Sequence, residues 1–174
     1  MKKGLTLVLT LIVTLAFVSI GFAQDKAPAP KVEKKHEYVG AAKCKMCHIK
    51  EYKSWEATKK AKTFSVLNAE QQKDPKCNVC HTTGKLADGT MLEGVQCEAC
   101  HGAGADYKSK EVMKDKKAAM AAGMLEPKEP VCMTCHKKEG NPNYKPFDYA
   151  TAVKSPAAGH ERFPTTTTPT PTQK

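Results

Sequence analysis

Apolar residues are concentrated at the start of the chain. A predominantly apolar run from Leu5 to Ile20 follows two lysines and precedes the small-residue pattern Gly21-Phe22-Ala23. This order predicts a signal peptide over residues 1–23, with a mature chain that starts at Gln24. Because the run approaches the length that crosses a bilayer, an uncleaved membrane anchor is the alternative. On either reading we expect the body of the protein to be exported.

Downstream of the signal, helical spacing is found in two segments. From Ile49 to Leu67 the larger side chains, such as Tyr52 and Trp55, recur every three or four residues, and neither Pro nor Gly interrupts them. This segment predicts a helix. The stretch from Glu111 to Met124 predicts a second helix, which ends before Pro127. No segment has a convincing strand pattern, so we expect a mainly α fold of short helices and loops.

Shifts in composition indicate the domain boundaries. Residues 24–37 are rich in Lys, Pro, Ala and Glu, which is typical of a flexible, solvated linker. Residues 38–163 are the predicted folded domain. Inside it, the glycines between residues 84 and 94 predict a turn-rich stretch. Residues 164–174 are mostly Thr and Pro, and they predict a disordered tail that cannot pack.

The mature chain has few side chains from which to build a core. Leu, Ile, Val and Phe together make up 16 of the 151 residues from Gln24 onward, well under the fraction of about one fifth below which a chain is typically disordered. All eight cysteines follow the signal segment. Cross-links or a covalent cofactor at these cysteines would supply the stability that aliphatic side chains do not.

The cysteines fall into one repeated pattern. Two cysteines separated by two residues and followed directly by a histidine occur four times, and no cysteine is left over. This CxxCH pattern is the attachment signature of c-type haem, in which two thiols bind the porphyrin covalently and the adjacent imidazole binds the iron. The four motifs are Cys44-Lys45-Met46-Cys47-His48, Cys77-Asn78-Val79-Cys80-His81, Cys97-Glu98-Ala99-Cys100-His101 and Cys132-Met133-Thr134-Cys135-His136.

Two other uses of the cysteines are weaker explanations. A disulfide scaffold suits an exported chain with an even cysteine count, but it does not explain a histidine after every second cysteine. Paired Cys-based zinc sites would leave the four histidines surplus. We therefore predict four covalently attached c-type haems. With so little protein per haem, the short helices and loops must wrap around four closely packed macrocycles, which also act as the core.

The number of histidines limits axial ligation. Four of the six histidines, His48, His81, His101 and His136, are the predicted proximal ligands, which leaves only His36 and His160 for distal positions. The other haems need Met, Lys, a residue of another subunit or an open position.

The remaining distal candidates differ in their surroundings along the chain. His160 lies beyond the last motif and is a candidate distal ligand. His36 lies in the linker, and three alternatives remain for it: exposure to solvent, binding to a haem of its own chain, or binding to a haem of a neighbouring subunit. Met91, in the turn-rich stretch before the third motif, is the first choice among the methionines.

The charge indicates the kind of partner. The full chain carries a net charge of +10, and removal of the signal's two lysines leaves +8. Two propionates on each ferric haem bring the holoprotein to about +4. An exported protein is not expected to bind nucleic acid. The lysines instead favour docking to acidic redox proteins, or simply keep the surface solvated.

Four stretches of the chain share a pattern with known proteins, namely residues 38–44, Trp55 with Thr58, residues 94–104 and residues 141–148. On these residues the chain resembles the exported tetrahaem cytochromes of the cytochrome c-554 family. The resemblance covers about residues 38–162, and the third motif in its Cys-Glu-x-Cys-His-Gly-x-Gly context is the most specific part. The resemblance implies a mainly helical tetrahaem fold with closely packed haem pairs and an electron-shuttle role in periplasmic respiratory chains. It also implies that the four motif histidines are proximal ligands and that the late histidine, His160, is a distal ligand.

This chain also departs from the family pattern. Relatives often have a distal histidine where this chain has Lys60, and many have another shortly after the Gly-x-Gly, where this chain has Asp106 and Tyr107. Both losses agree with the shortage of histidines. They favour an open or Met-ligated haem here.

Three functions remain compatible with the sequence. The favoured one is a non-enzymatic electron carrier of the periplasm or cell exterior, which passes single electrons between respiratory partners and has no stable membrane span after signal cleavage. The second is a reductase of small nitrogen or oxygen species at a five-coordinate haem. The third is a subunit of a haem-stacked extracellular filament, a homo-oligomer in which His36 binds a neighbour's haem.

Overall fold

The computed structural model describes residues 36–161. The predicted signal peptide, most of the predicted linker and the Thr/Pro tail lie outside the described residues. Within residues 36–161, no helix is long and apolar enough to cross a membrane.

Short helices joined by loops make up most of the described chain, as the sequence predicts. The α-helices are α1 (Ala41–Lys45), α2 (Ile49–Glu56), α3 (Pro75–His81), α4 (Cys97–His101), α5 (Lys110–Met113), α6 (Lys116–Ala121), α7 (Glu129–Met133) and α8 (Tyr149–Ala152). Three 3-10 turns cover Phe64–Val66, Gln71–Lys73 and Pro156–Ala158, and one hairpin consists of β1 (Thr82–Lys85) and β2 (Met91–Glu93).

Helix α2 is shorter than its sequence pattern predicts. The periodicity extends to Leu67, but the helix ends at Glu56. The Thr58 hydroxyl donates to the Trp55 carbonyl at 2.7 Å, a bond that competes with the helical backbone. The chain then opens into turns, and the Lys60 carbonyl accepts from the Val95 amide at 3.0 Å. Tertiary hydrogen bonds with the segment before the third motif therefore override the helical pattern.

The second predicted helix is split in two. Residues 111–124 contain the end of α5 and all of α6, with a break at Lys114 and Asp115. The Asp115 carboxylate accepts from the amides of Lys117 and Ala118 at 2.8 and 3.3 Å. An aspartate that caps amides in this way starts a new helix rather than continuing the old one.

The hairpin is the element that the sequence did not predict. Strands β1 and β2 pair antiparallel, with Gly84 opposite Leu92 and an irregularity between Thr82 and Gly84. Gly84 has φ +146°, and a Cβ there would lie 2.7 Å from the Tyr38 ring. Glycine thus lets the N-terminal segment pack directly on the strand.

Protein side chains alone make a very small core. Among the described residues only Ala41, Leu92, Tyr107 and Ala119 are buried apolar residues. The buried polar set includes Glu98, which is 2% exposed. This agrees with the expectation that aliphatic residues are too few to stabilise the domain by themselves.

Candidate haem-attachment sites

Each CxxCH motif forms a helical turn. The second motif lies in α3 and the third is α4 itself, while the first and fourth begin in α1 and α7 and end in the turn that follows. In the two motifs that leave a helix, the histidine amide donates to the carbonyl of the first cysteine, from His48 to Cys44 at 2.9 Å and from His136 to Cys132 at 3.0 Å. The turn brings the two thiols and the imidazole of a motif to one side of the chain.

Local sequence explains one of these helices particularly well. Asp74 precedes α3, and its carboxylate accepts from the Lys76 amide at 2.8 Å. Pro75 occupies the first helical position, where a missing N–H costs nothing. The helix of the second motif therefore starts with an N-cap followed by proline.

The four motifs lie near one another in a definite order. Helix α1 of the first motif packs against α4 of the third. Cys100 of the third motif lies close enough to Cys132 of the fourth for the two thiols to interact electrostatically. Cys135 Sγ of the fourth motif lies 3.9 Å from the Val79 carbonyl, between the cysteines of the second. The order of neighbours therefore runs from the first motif to the third, fourth and second.

The surroundings raise the pKa of three of the thiols, whereas the contact with Cys97 lowers the pKa of Cys44. Burial and the neighbouring Cys135 raise the pKa of Cys80 to about 11. Burial also raises the pKa of Cys100. The hydrogen bond to Cys44, together with burial, raises the pKa of Cys97. All eight cysteines are free of disulfides.

A buried glutamate connects the first and third motifs. The Glu98 carboxylate accepts from the amides of Val39 at 2.9 Å, Gly40 at 2.7 Å and Gly104 at 2.6 Å. The Gln96 side chain accepts from the Ala41 amide at 2.8 Å. Helix α4 thus holds the start of α1 and the Gly-x-Gly turn in place. The sequence analysis includes Glu98 only as part of the third motif, and it does not predict that the Glu98 carboxylate binds three backbone amides.

Two of the motif histidines have partners that orient their rings. His81 Nδ1 lies 2.6 Å from the Thr63 carbonyl and 2.8 Å from the Thr63 hydroxyl. An N–H donated to a carbonyl at Nδ1 leaves Nε2 available for a metal. The His136 ring stacks on Phe147, with centroids 4.2 Å apart and planes 21° apart. Sequence spacing gave no signal for Thr63 or Phe147, because both contacts are tertiary.

His101 and His160 come together across the fold. Their ring centroids are 6.3 Å apart and their planes differ by 27°. His160 Nδ1 donates to the Glu161 carbonyl at 2.6 Å, and the His101 ring bonds the Leu125 backbone. Burial and the nearby His160 lower the pKa of His101, so the neutral, ligating form of His101 is favoured.

The other two predicted distal candidates lie elsewhere. His36 Nδ1 is 2.7 Å from the Asp106 carboxylate, and its ring lies against the Gly123 backbone. Met91 lies in β2 opposite Lys85. The next residue, Leu92, is buried, and because side chains alternate along a strand, Met91 faces the opposite side of the hairpin.

Lys60 lies next to the fourth motif. It shares the wall of one cavity with Cys132 and His136. Its ammonium donates to the Ala158 carbonyl at 2.5 Å. Burial, followed by the Lys60 charge, lowers the pKa of His136.

The residues present fit covalently bound haem. Each motif offers two free thiols and one imidazole on a helical turn, which is the donor set that c-type haem requires. The separation of His101 and His160 also fits, because metal–nitrogen bonds of about 2 Å place the centroids of two imidazoles on one metal ion roughly 6 Å apart. No group of three or more His, Cys, Asp or Glu residues that could hold a bare metal ion is found between residues 36 and 161.

Comparison with known proteins agrees with the assignment of the motifs as haem-attachment sites. The family model described as "Cytochrome c554 and c-prime" matches residues 43–102. Cytochrome c-554 of Nitrosomonas europaea is 27% identical, with 60% of each chain covered, so the chain spans about 60% of the length of this curated relative. The solved structure of reduced cytochrome c554 from Nitrosomonas europaea has a TM-score of 0.52 at 23% identity, covering 70% of this chain and 78% of the solved chain.

The helical fold and its attachment motifs define a c-type cytochrome, in which haem is bound covalently. The chain is similar to the cytochrome c554 family, over residues 43–102 in the family model and in its overall fold. The predicted resemblance to this family agrees with these matches, and the predicted mainly α fold of short helices and loops is confirmed.

Proposed function

We propose that this protein is an electron carrier that binds four c-type haems and passes single electrons between redox partners. The single observation that carries the proposal is the closeness of the attachment motifs. Helix α1 of the first motif packs against α4 of the third, Cys135 Sγ of the fourth lies 3.9 Å from the Val79 carbonyl of the second, and Cys100 of the third lies within electrostatic range of Cys132 of the fourth. Haems attached at neighbouring motifs lie close together, and close redox centres exchange electrons rapidly.

The contact order gives a route for the electron. The route connects the haem of the first motif to those of the third, fourth and second motifs, in that order. The side chains between the paired cysteines at the two ends are well exposed, with Met46 at 74% and Val79 at 68%. Exposed apolar groups beside the terminal haems suit brief contacts with a donor at one end and an acceptor at the other.

The chain's own residues hold and tune the haems in this proposal. The motif histidines would bind the haem irons, and Thr63 and Phe147 fix the rings of His81 and His136. His160 would bind the same iron as His101. His36 and Met91 remain candidate distal ligands.

The proposed setting is the periplasm or the cell exterior. The signal pattern at residues 1–23 supports export, and the net charge of +8 on the mature chain favours partners with acidic docking surfaces. Opposite charges steer the encounter of two proteins, and added salt weakens that steering. Electron transfer to an acidic partner is therefore expected to slow as the ionic strength rises.

The experiment is a combined mass and redox measurement on protein matured in a host that attaches c-type haem. Intact mass should give four haems per chain, and a potentiometric titration should remove four electrons. Stopped-flow oxidation by an acidic redox protein should be fast and should slow with salt. A chain with fewer than four haems, or one that exchanges no electrons with such partners, contradicts the proposal.

A reductase at an open haem is the second candidate. Four of six histidines lie in motifs, and only His160 lies against a motif histidine at a spacing that fits one iron. An iron without a distal ligand binds carbon monoxide when reduced. A carbon monoxide difference spectrum, followed by turnover assays with nitrogen oxides, would favour the reductase if one haem binds carbon monoxide and reduces substrate catalytically. The His36 contact with Asp106 lies within one chain and gives the filament reading no support.

A further inference from the structure

The fourth attachment motif borders a cavity of about 200 Å³. Its wall includes one cysteine and the histidine of the motif, a stacked aromatic ring, several small residues and one lysine. Only the histidine and the lysine supply a nitrogen that can bind a metal. The lining residues are Lys60, Cys132, His136, Phe147, Ala152, Val153, Ser155, Ala157 and Ala158.

The position of the lysine is fixed at both ends. Its carbonyl accepts from the Val95 amide at 3.0 Å, which anchors the backbone beside the third motif. Its Nζ donates to the Ala158 carbonyl at 2.5 Å, which holds the amine at the cavity wall. Lys60 is half-buried, whereas the preceding residue, Lys59, is exposed. The side chain therefore reaches into the cavity rather than into solvent.

Lysine binds a metal through the lone pair of its neutral amine. Most of the other groups that line this wall are apolar. A neutral lysine has one lone pair and two N–H groups. The Ala158 carbonyl can accept one N–H, which orients the amine as outer-shell hydrogen bonds orient metal ligands.

We propose that Lys60 Nζ is the distal ligand of the haem iron bound at Cys132, Cys135 and His136. The inference rests on the proposed function, because it needs a haem at the fourth motif. The ammonium releases one proton to solvent when its lone pair binds the iron, and no electron is transferred in this step. Lysine thus fills a position that the histidine count alone leaves without a ligand.

Lys60 has a second possible role in this cavity, which the experiment must distinguish from iron binding. Lys60 can remain an ammonium and pair with a haem propionate. Arginine distinguishes the two roles, since it keeps the positive charge and its N–H donors but cannot be deprotonated in a protein. Histidine makes the opposite comparison, because it can bind iron without a permanent charge.

The test uses fully matured protein and the variants Lys60→Ala, Lys60→Arg and Lys60→His, with Lys59→Ala as the exposed control. Wild type is also grown with lysine labelled with ¹⁵N at Nζ, and pulsed EPR of the ferric protein detects nitrogen bound to low-spin iron. We expect labelled-lysine coupling in wild type and in Lys59→Ala. It should be lost in Lys60→Ala and Lys60→Arg, each of which should gain one haem equivalent of high-spin iron out of four. Lys60→His should restore the low-spin state.

The outcomes that overturn the inference are distinct from those that overturn the proposed function. Absence of labelled-lysine coupling in wild type, or a wild-type spin state in Lys60→Arg, shows that Lys60 is not a ligand while four haems remain in place. Peptide mass mapping that finds no haem on Cys132 and Cys135 overturns both. Intact mass and circular dichroism of each variant establish that haem attachment and folding are unchanged.

Discussion

The His160 imidazole lies across from that of His101, with ring centroids 6.3 Å apart and planes 27° from parallel. The backbone carbonyl of Glu161 accepts from His160 Nδ1, so Nε2 of His160 is available for a metal. We predict that His160→Ala converts one haem of the ferric protein from low spin to high spin, because the iron bound by His101 loses its second imidazole. EPR spin counting and the visible spectrum measure the change.

Glu161→Ala is the matched control for that prediction. The bond to His160 comes from the Glu161 backbone, and the Glu161 amide also donates to the Ser54 hydroxyl at 2.8 Å, so both contacts survive truncation of the side chain. The control should keep the wild-type spectrum. An unchanged spin count in His160→Ala would show that His160 is not a ligand.

Glu98→Gln is predicted to destabilise the protein by roughly 1–3 kcal/mol. The Glu98 carboxylate accepts hydrogen bonds from three backbone amides, those of Val39, Gly40 and Gly104. A glutamine has one acceptor oxygen and one NH₂ group, so a donor would face at least one of these N–H groups inside a buried site. Guanidinium unfolding followed by far-ultraviolet circular dichroism measures the loss.

Glu93→Gln is the control for the same change of charge at an exposed position of β2. It should change the unfolding free energy by less than about 0.5 kcal/mol. Equal losses in the two variants would mean that net charge, rather than the buried hydrogen bonds of Glu98, accounts for the effect.

Thr63→Val is predicted to shift the reduction potential of one haem without changing its ligands. The Thr63 hydroxyl lies 2.8 Å from His81 Nδ1, while the Thr63 carbonyl remains bonded to the same ring nitrogen. Removing the hydroxyl changes the hydrogen bonding of His81, the proposed iron ligand of the second motif, and such bonds are one of the ways a protein tunes a haem potential. Potentiometric titration measures the shift, and EPR should show an unchanged spin count.

Thr82→Val is the control for Thr63→Val, because it also removes a hydroxyl group near the second motif. The Thr82 hydroxyl donates to the Asn78 carbonyl at 2.8 Å and is not bonded to the imidazole. Its removal should leave all four potentials in place. Equal shifts in both variants would contradict a specific role for Thr63.

Local chemistry explains which parts of the fold the sequence could predict. The CxxCH pattern and the Asp74-Pro75 helix start depend on neighbours within a few residues, and the structure has both. The predicted helix through Leu67 was too long because Trp55 and Lys60 make hydrogen bonds to Val95, far along the chain. The sequence did not predict the hairpin, because strands of only four and three residues are too short to show an alternating pattern.

At the candidate sites too, the sequence predicted local features but not long-range contacts. Spacing identified the motif residues, but it gave no way to see that His160 lies beside His101 or that Lys60 shares a cavity with His136. Those relations join residues 59 and 76 positions apart, and they depend on how the loops between motifs return. Met91 was favoured for its place in a loop, whereas the structure puts it in a strand.

Gly123→Ala is predicted to cost about 2 kcal/mol of stability or more, from two sources that can be separated. Gly123 has φ +100°, and a Cβ there would lie 2.8 to 3.0 Å from three atoms of the His36 ring. Gly140→Ala is the control, because Gly140 has φ +73° with nothing within 4 Å of the added carbon, and it should lose only about 1 kcal/mol of backbone strain. In Gly123→Ala combined with His36→Ala, the steric part should disappear and the strain should remain. Thermal unfolding of the wild type and these three variants measures the differences, and equal losses in Gly123→Ala and Gly140→Ala would mean that the His36 ring does not pack on Gly123 in solution.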